Sequence, residues 1–280
     1  MLKKIIKKYV PYLVKVKRSL EEITLMFNME LEDTYKKRAE NHPNPLASYG
    51  QLGFSQSDED GLTKEFIKRL GIERGFFLEF GVGTGIENNS LVLLALNWSG
   101  IWFGGEDLDF DINHSSRLSF KKCWITKDNI VDLYQESMQN RETTEVDLVS
   151  VDLDGNDLIF CKELLEGGLD PRLFIVEYNA RFAPPIRFSI DYDEDHEWSL
   201  DDYYGASLQS LVDLFSEHDY SLICCNAATG VNAFFVKNED LYLFPEVPAD
   251  ISDIYSEPFF INHSGFLMPK SKKTFETIIK

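Results

Sequence analysis

Two apolar rhythms alternate along most of this chain. Short apolar runs closed by turn residues, such as FFLEF at 76–80, read as buried strands, while stretches with apolar residues three and four apart read as helices. Taken in order they predict helix (61–70), strand (76–80), helix (86–97), strand (101–105), strand (123–126), helix (129–138), strand (147–152), helix (156–166) and strand (172–178). After an irregular stretch come helix (206–218), strand (220–225) and strand (231–236). Strands that alternate with helices imply a mostly parallel sheet covered on both faces. The last two strands are joined by NAATG, too short for a crossover, so they should pair as an antiparallel hairpin. The expected fold is therefore α/β: a doubly wound, Rossmann-like, seven-stranded, mostly parallel sheet with a C-terminal antiparallel hairpin, plus an N-terminal helical extension.

The flanks have other patterns. In residues 1–20, Leu2, Ile5, Ile6, Tyr9, Val10 and Leu13 fall at helical spacing among Lys3, Lys4, Lys7, Lys8, Lys15, Lys17 and Arg18, with no acid. That suits a helix lying on an anionic membrane surface; a helix packed on the domain or on a second subunit of a homo-oligomer is the open alternative. Residues 40–60 are rich in Pro, Gly, Ser and acids and read as a linker. The chain thus divides into a basic amphipathic extension and linker (1–53), an α/β domain (54–240) and an irregular tail (241–280), wrapped on the domain or on a second subunit. An insertion at 181–204 starts beyond the carboxyl edge of the sheet, where such folds bind ligands, and is placed to be an acceptor lid. Its Phe182, Phe188, Tyr192, Trp198, Tyr203 and Tyr204 sit among acids. They suit a polyhydroxylated ligand, or equally a loop with its own small aromatic core.

Charge narrows the function classes. The formal charge is −19, and because the first twenty residues carry seven basic groups, the remainder carries −26. Such a body repels polyanions, so no nucleic acid partner is expected. With 44% hydrophobic residues and no apolar run long enough to cross a bilayer, the composition is that of a globular protein. Cys123, Cys161, Cys224 and Cys225 form no C-x-x-C pair, which fits a reducing, cytoplasmic location, with membrane association through residues 1–20 left open.

The first strand runs into E-x-G-x-G-x-G, Glu79 to Gly85. Glycines directly after a buried strand let the backbone turn sharply and let a ligand approach. The spacing is not G-x-G-x-x-G, since Ile86 stands where the third glycine would, and the chain has no Gly-Lys pair for a phosphate loop. What remains resembles motif I of class I S-adenosylmethionine-dependent methyltransferases. Past the next strand stand Glu106 and Asp107, where a doubly wound fold puts an acid against ribose hydroxyls. Glu106 is the preferred residue, although the two glycines of FGGED leave Asp107 open.

A wider resemblance covers about two thirds of the chain. FSQSDEDGLTKEFIKRLG, FLEFGVGTGIENNSLVLLALNWSGIWFGGED, WITKDNI, DLVSVDLDGND, PRLFIVEYNA, YYGASLQSLVDLF and GVNAFFVKNEDL together resemble the FkbM-related branch of those methyltransferases. The resemblance implies S-adenosylmethionine as cofactor and, less specifically, a carbohydrate or related polyol as acceptor, in surface-polysaccharide or secondary-metabolite biosynthesis. Position by position it implies Glu79, Gly81, Gly83 and Gly85 in the methionine-binding loop, Glu106 at the ribose, Asp128 and Ile130 at the adenine, and Asp152 and Asp154 beside the transferring methyl.

Transfer to a sugar hydroxyl needs help with its proton, from a general base or from a divalent ion. The ends of the fourth and fifth strands offer Asp152, Asp154, Glu177 and Asn179 as oxygen ligands for Mg²⁺, with Asp152 or His196 as base. Against these roles, Asp154 could simply make a turn, Glu177 and Asn179 could fix the loop, and a histidine among acids is usually solvated with a raised pKa. The competing functional class is a non-catalytic Rossmann-like module recruited to a cell-surface biosynthesis complex.

Overall fold

The computed structural model describes residues 2–139, 145–259 and 271–279, with side chains of the first helix described from Tyr12 onward. One seven-stranded sheet organises the chain. Its strands are β1 (Phe76–Phe80), β2 (Ser99–Gly104), β3 (Leu118–Lys122), β4 (Leu148–Val151), β5 (Leu173–Glu177), β6 (Tyr220–Cys225) and β7 (Asn232–Lys237). They lie in the order β3-β2-β1-β4-β5-β7-β6. The first five are parallel, and β7 runs antiparallel to both β5 and β6. The expected doubly wound sheet with its terminal hairpin is therefore the observed one. Chain order reverses between β1 and β4, and the crevice above that point is where such sheets take ligands.

Alternation along the strands fills two cores. Leu78, Phe80, Val149, Val151 and Phe174 face one side, beneath α4 (Ile130–Met138), α5 (Asp157–Glu166) and α6 (Leu208–Glu217). Phe77, Trp102, Leu148 and Ile175 face the other, beneath α2 (Glu59–Arg69) and α3 (Leu91–Ala95). β1 and β4 are buried at every position, as strands sandwiched between helix layers must be.

The structure corrects four sequence expectations. The third strand is LSFKK at 118–122 rather than 123–126. It is a half-exposed edge ending in two lysines, so it lacks the apolar run that marks a central strand. The apolar CWIT that follows is instead a turn, pinned by Asn129, which accepts from the Thr126 amide at 2.8 Å and donates to the Trp124 carbonyl at 2.9 Å. α3 is only Leu91–Ala95, because residues 86–90 are drawn into the glycine loop. The 40–60 segment is built into the body: Asn44 and Leu46 are fully buried, and Asp58 accepts from the Ala227 and Ala228 amides. The tail carries two short helices, α7 (Ile251–Ile254) and α8 (Lys272–Ile278).

The N-terminal extension is one continuous helix, α1 (Leu2–Glu40). Among the described residues no helix is long and apolar enough to cross a membrane.

Candidate functional site

The glycine loop opens directly off β1, and its glycines are used in different ways. Gly81, Gly83 and Gly85 all have positive φ, of 95°, 48° and 86°. A Cβ on Gly81 would lie 1.5 Å from the carbonyl oxygen of Asp152, so this glycine lets β1 and β4 approach at the switch point. At Gly83 a Cβ would meet nothing within 4 Å; it would project into open space at the cleft wall. Gly85 turns the chain tightly past Trp102 and Leu108.

Glu79 holds the loop that follows. Its carboxylate accepts from the Asn89 amide at 2.9 Å, from the Ser90 amide at 3.3 Å and from the Ser90 hydroxyl. Trp102 in turn donates its indole N–H to that hydroxyl at 2.8 Å. Burial raises the Glu79 pKa and the Ser90 and Asn89 hydrogen bonds oppose the rise. Glu79 borders the cleft, but its oxygens are engaged in shaping it.

At the end of β2 the two neighbouring acids diverge. Glu106 lines the cleft, whereas Asp107 pairs with Lys122 at 2.7 Å. Neither residue expected near adenine lines the cleft. Asp128 is exposed elsewhere, and Ile130 is fully buried in the core as the first residue of α4. Both expectations followed from reading CWIT as a strand. With the true strand ending at Lys122, the side chain delivered to this wall is Trp124, whose indole donates to the Glu194 carbonyl at 2.9 Å.

Opposite stands an acidic wall. Asp152, Asp154 and Glu177, from the ends of β4 and β5, each offer a carboxylate oxygen within 4.8 Å of the others. Burial raises the pKa of all three. The mutual repulsion of these carboxylates pushes Asp152 and Glu177 up further, well above the usual carboxylate range. One oxygen of Glu177 is buried with no partner. Below them Asp157, pushed up to about 6 by burial, accepts from the Leu153 and Gly155 amides at 2.8 and 3.0 Å and fixes the turn that presents Asp154 at φ 54°.

His196 reaches this wall from the 181–204 loop. Its ring packs so closely on Gly155 that a Cβ there would lie 2.3 Å from the imidazole. Burial, then the positive charge of Lys273, lowers its pKa, the reverse of the rise expected for a solvated histidine among acids. Its Nε2 is buried without a partner. Asn179 lines the same cleft. Its amide nitrogen donates to the Asp202 and Tyr204 carbonyls at 3.1 and 3.0 Å and its oxygen accepts from the Arg181 amide, so it also anchors the loop.

The 181–204 loop has a small core of its own and also lines the cleft. Phe182, Phe188, Ile190 and Tyr203 make a small core of its own, with the Phe182 and Phe188 rings stacked at 4.0 Å. Trp198 and Tyr204 turn the other way and line the cleft. The whole cleft has a volume of about 880 Å³ and runs from the glycine loop to the acidic wall. Sequence reasoning missed Gln56, Arg181, Glu197 and Phe259 in its lining. Gln56 is held there by its neighbours: Ser57, Asp58 and Glu59 bond to the Asn226–Asn232 turn, which no local pattern reveals.

No family model and no curated protein matches the chain. Among solved structures it is similar to MycE methyltransferase from the mycinamycin biosynthetic pathway, solved with Mg, SAH and mycinamycin VI, at 14% identity, covering 70% of this chain and 54% of that one, with a TM-score of 0.43. It is also similar to SAH-bound PaMTH1 of Podospora anserina, at 11% identity over 79% of this chain and 95% of that one, with a TM-score of 0.38. A third is an O-methyltransferase family 2 protein of Planctomyces limnophilus solved with apigenin, at 14% identity over 73% and 60%, with a TM-score of 0.36. The chain spans about half the length of the MycE chain. At that overlap the strand order and the cleft, rather than these neighbours, define the molecule.

Proposed function

We propose that the protein is an S-adenosylmethionine-dependent O-methyltransferase of the FkbM-related branch, acting on a hydroxyl of a carbohydrate or related polyol in surface-polysaccharide or secondary-metabolite biosynthesis. The observation that carries this reading is the single cleft, which joins a glycine loop and Glu106 at one end to an acidic wall under an aromatic lid at the other. The space beside Gly83 fits a methionine moiety, and Glu106 fits a ribose. When bound, the cofactor supplies an electrophilic methyl carbon whose bond to sulfur breaks as the acceptor oxygen attacks.

The chain's own residues then have two tasks. The lid must hold the acceptor in line with the methyl group, which Trp198 and Tyr204 do by stacking against a sugar's C–H face. The hydroxyl proton must leave as the oxygen–carbon bond forms, and Asp152 is the acceptor at the strand end. Burial and then the neighbouring carboxylates raise its pKa, which makes its ionised form a stronger proton acceptor. His196, neutral because of its lowered pKa, is the second candidate base. Asp152, Asp154 and Glu177 also fit a divalent cation such as Mg²⁺, since the unpartnered oxygen of Glu177 and the mutual repulsion of the three would both be relieved by one. A cation there would lower the hydroxyl pKa.

Calorimetry with S-adenosylmethionine and S-adenosylhomocysteine, followed by methyl transfer to a panel of sugars with and without a chelator, tests the reading. Binding of both ligands is expected; binding of neither overturns it. Chelation that stops turnover, with Mg²⁺ restoring it and cofactor affinity unchanged, assigns the cation. Turnover that survives chelation leaves Asp152 or His196 acting alone.

A further inference from the structure

A long exposed apolar surface lies on α1. Residues 12–30 of this helix are exposed at every position. Along one side, at alternating three- and four-residue steps, stand Leu13, Val16, Leu20, Ile23 and Phe27, with Leu13, Leu20 and Ile23 exposed by 61%, 58% and 62%. In the sequence the same steps continue backward through Tyr9, Ile6 and Leu2. Among the described residues the helix grips the body near its end. Leu31, Thr34, Tyr35 and Arg38 are partly buried, and the Arg38 guanidinium donates to the Ala227 and Glu257 carbonyls at 2.9 and 2.6 Å. A monomeric domain rarely leaves so long an apolar stripe in water.

We propose that α1 docks the protein on an anionic lipid bilayer, its first half lying in the headgroup plane with the apolar side toward the acyl chains. Charge selects this occupant over a second copy of the helix. The seven basic residues of positions 1–20 are accompanied by no acid, so a parallel partner would bring fourteen like charges together along one seam. The seam positions flanking the stripe give no opposite charges to pair: Ser19 and Met26 stand on one side of it and Lys17 and Thr24 on the other. An anionic surface satisfies both halves of the pattern, taking the lysines at its headgroups and the leucines just beneath. The geometry also manages the body's own charge. Residues 21–30, exposed and outside the basic stretch, add about 15 Å of helix, roughly twice the Debye length at physiological salt, between that stretch and the gripped end. The acidic body is thus screened from the surface that binds the helix.

The test is co-sedimentation of the full chain with phosphatidylcholine vesicles with and without phosphatidylglycerol, over a salt series. At low salt, partitioning onto the anionic vesicles should exceed that onto neutral ones by at least tenfold and be lost as salt rises. Two variants on the exposed stretch probe the two halves: Leu13→Asp with Leu20→Asp, and Lys15→Glu with Lys17→Glu and Arg18→Glu. Each set should reduce anionic-vesicle binding at least tenfold, the second by over a hundredfold, with S-adenosylhomocysteine affinity and thermal melting recorded as checks on the fold. Equal binding to both vesicle types, or to neither, overturns the proposal. So does a salt-stable oligomer in sedimentation equilibrium that the Leu13→Asp, Leu20→Asp pair dissociates while vesicle binding is absent, since a second copy then covers the stripe.

Discussion

The two ends of the cleft are made from different materials. The glycine-loop end is mostly backbone: three residues at positive φ let the chain turn above β1, and Glu79 at the end of that strand has its oxygens occupied by Asn89 and Ser90. The β4–β5 end is all side chain, with Asp152, Asp154 and Glu177 crowded against one another, all raised in pKa by burial, and Asp152 and Glu177 raised further by the neighbouring carboxylates. One end is satisfied, the other carries a deficit of positive charge. Electrostatic tension of that kind is how protein sites store chemical readiness, because a group held away from its ordinary pKa can exchange a proton near neutrality. On the function proposed above, the first end would serve binding and the second proton chemistry.

The largest expected effect breaks the second end alone. Asp152→Asn keeps the volume and removes the proton acceptor, so methyl transfer should fall on the order of a hundredfold or more while S-adenosylhomocysteine affinity stays within a few-fold. Near-parental turnover on a true acceptor would remove Asp152 from the mechanism. A joint loss of affinity and turnover would instead mean that the two ends are not separable.

The complementary break is at Gly83, the one loop glycine whose substitution meets open space. Gly83→Val places a branched side chain at the cleft wall and strains a φ of 48°, so the fold should survive with reduced stability while S-adenosylhomocysteine binding weakens by well over tenfold. Gly81 could not serve, because a Cβ there collides with the Asp152 backbone. Unchanged affinity in the Gly83 variant would mean that this loop is a structural turn and the cofactor lies elsewhere.

The same contrast explains what the sequence revealed. The glycine loop and the strand-end acids could be read because each follows a buried apolar run directly, so local pattern fixes where they emerge. Trp124, Ile130 and Asp128 were misplaced by an error of register: an edge strand with lysines gives a weak signal, and the stronger apolar run beside it took its place. Gln56 was invisible because its position depends on Asp58 and Glu59 meeting Asn226 and Asn232, about 170 residues away in the chain. Asn179 lies just past the end of β5 and lines the cleft, but the partners of its amide nitrogen, the Asp202 and Tyr204 carbonyls, come from the loop and follow from no local pattern.

The smallest effect sharpens the contrast most finely, because it reads the charge deficit without any substrate. Glu177 has one buried oxygen without a partner and a pKa raised first by burial and then by Asp152, Asp154 and Asp157. A carboxyl whose folded pKa lies above its unfolded value of 4.5 binds more protons folded than unfolded. Stability therefore falls as pH rises from about that value through the raised pKa, and above it the folded protein carries the full penalty. Glu177→Gln cannot ionise, and its amide can donate to the neighbouring carboxylates that now repel it. The variant should melt about 2–4 °C above the parent at pH 8, equivalent to about 1 kcal/mol for a domain of this size. That advantage should shrink toward zero as the pH is lowered toward 4.5, where the parent's carboxyl is neutral as well. Adding Mg²⁺ at pH 8 should stabilise the parent more than the variant if the three acids take a cation. A Gln variant that melts lower than the parent at pH 8, or by a margin that does not change with pH, would show that Glu177 is a satisfied structural group and that the acidic end of the cleft holds no tension.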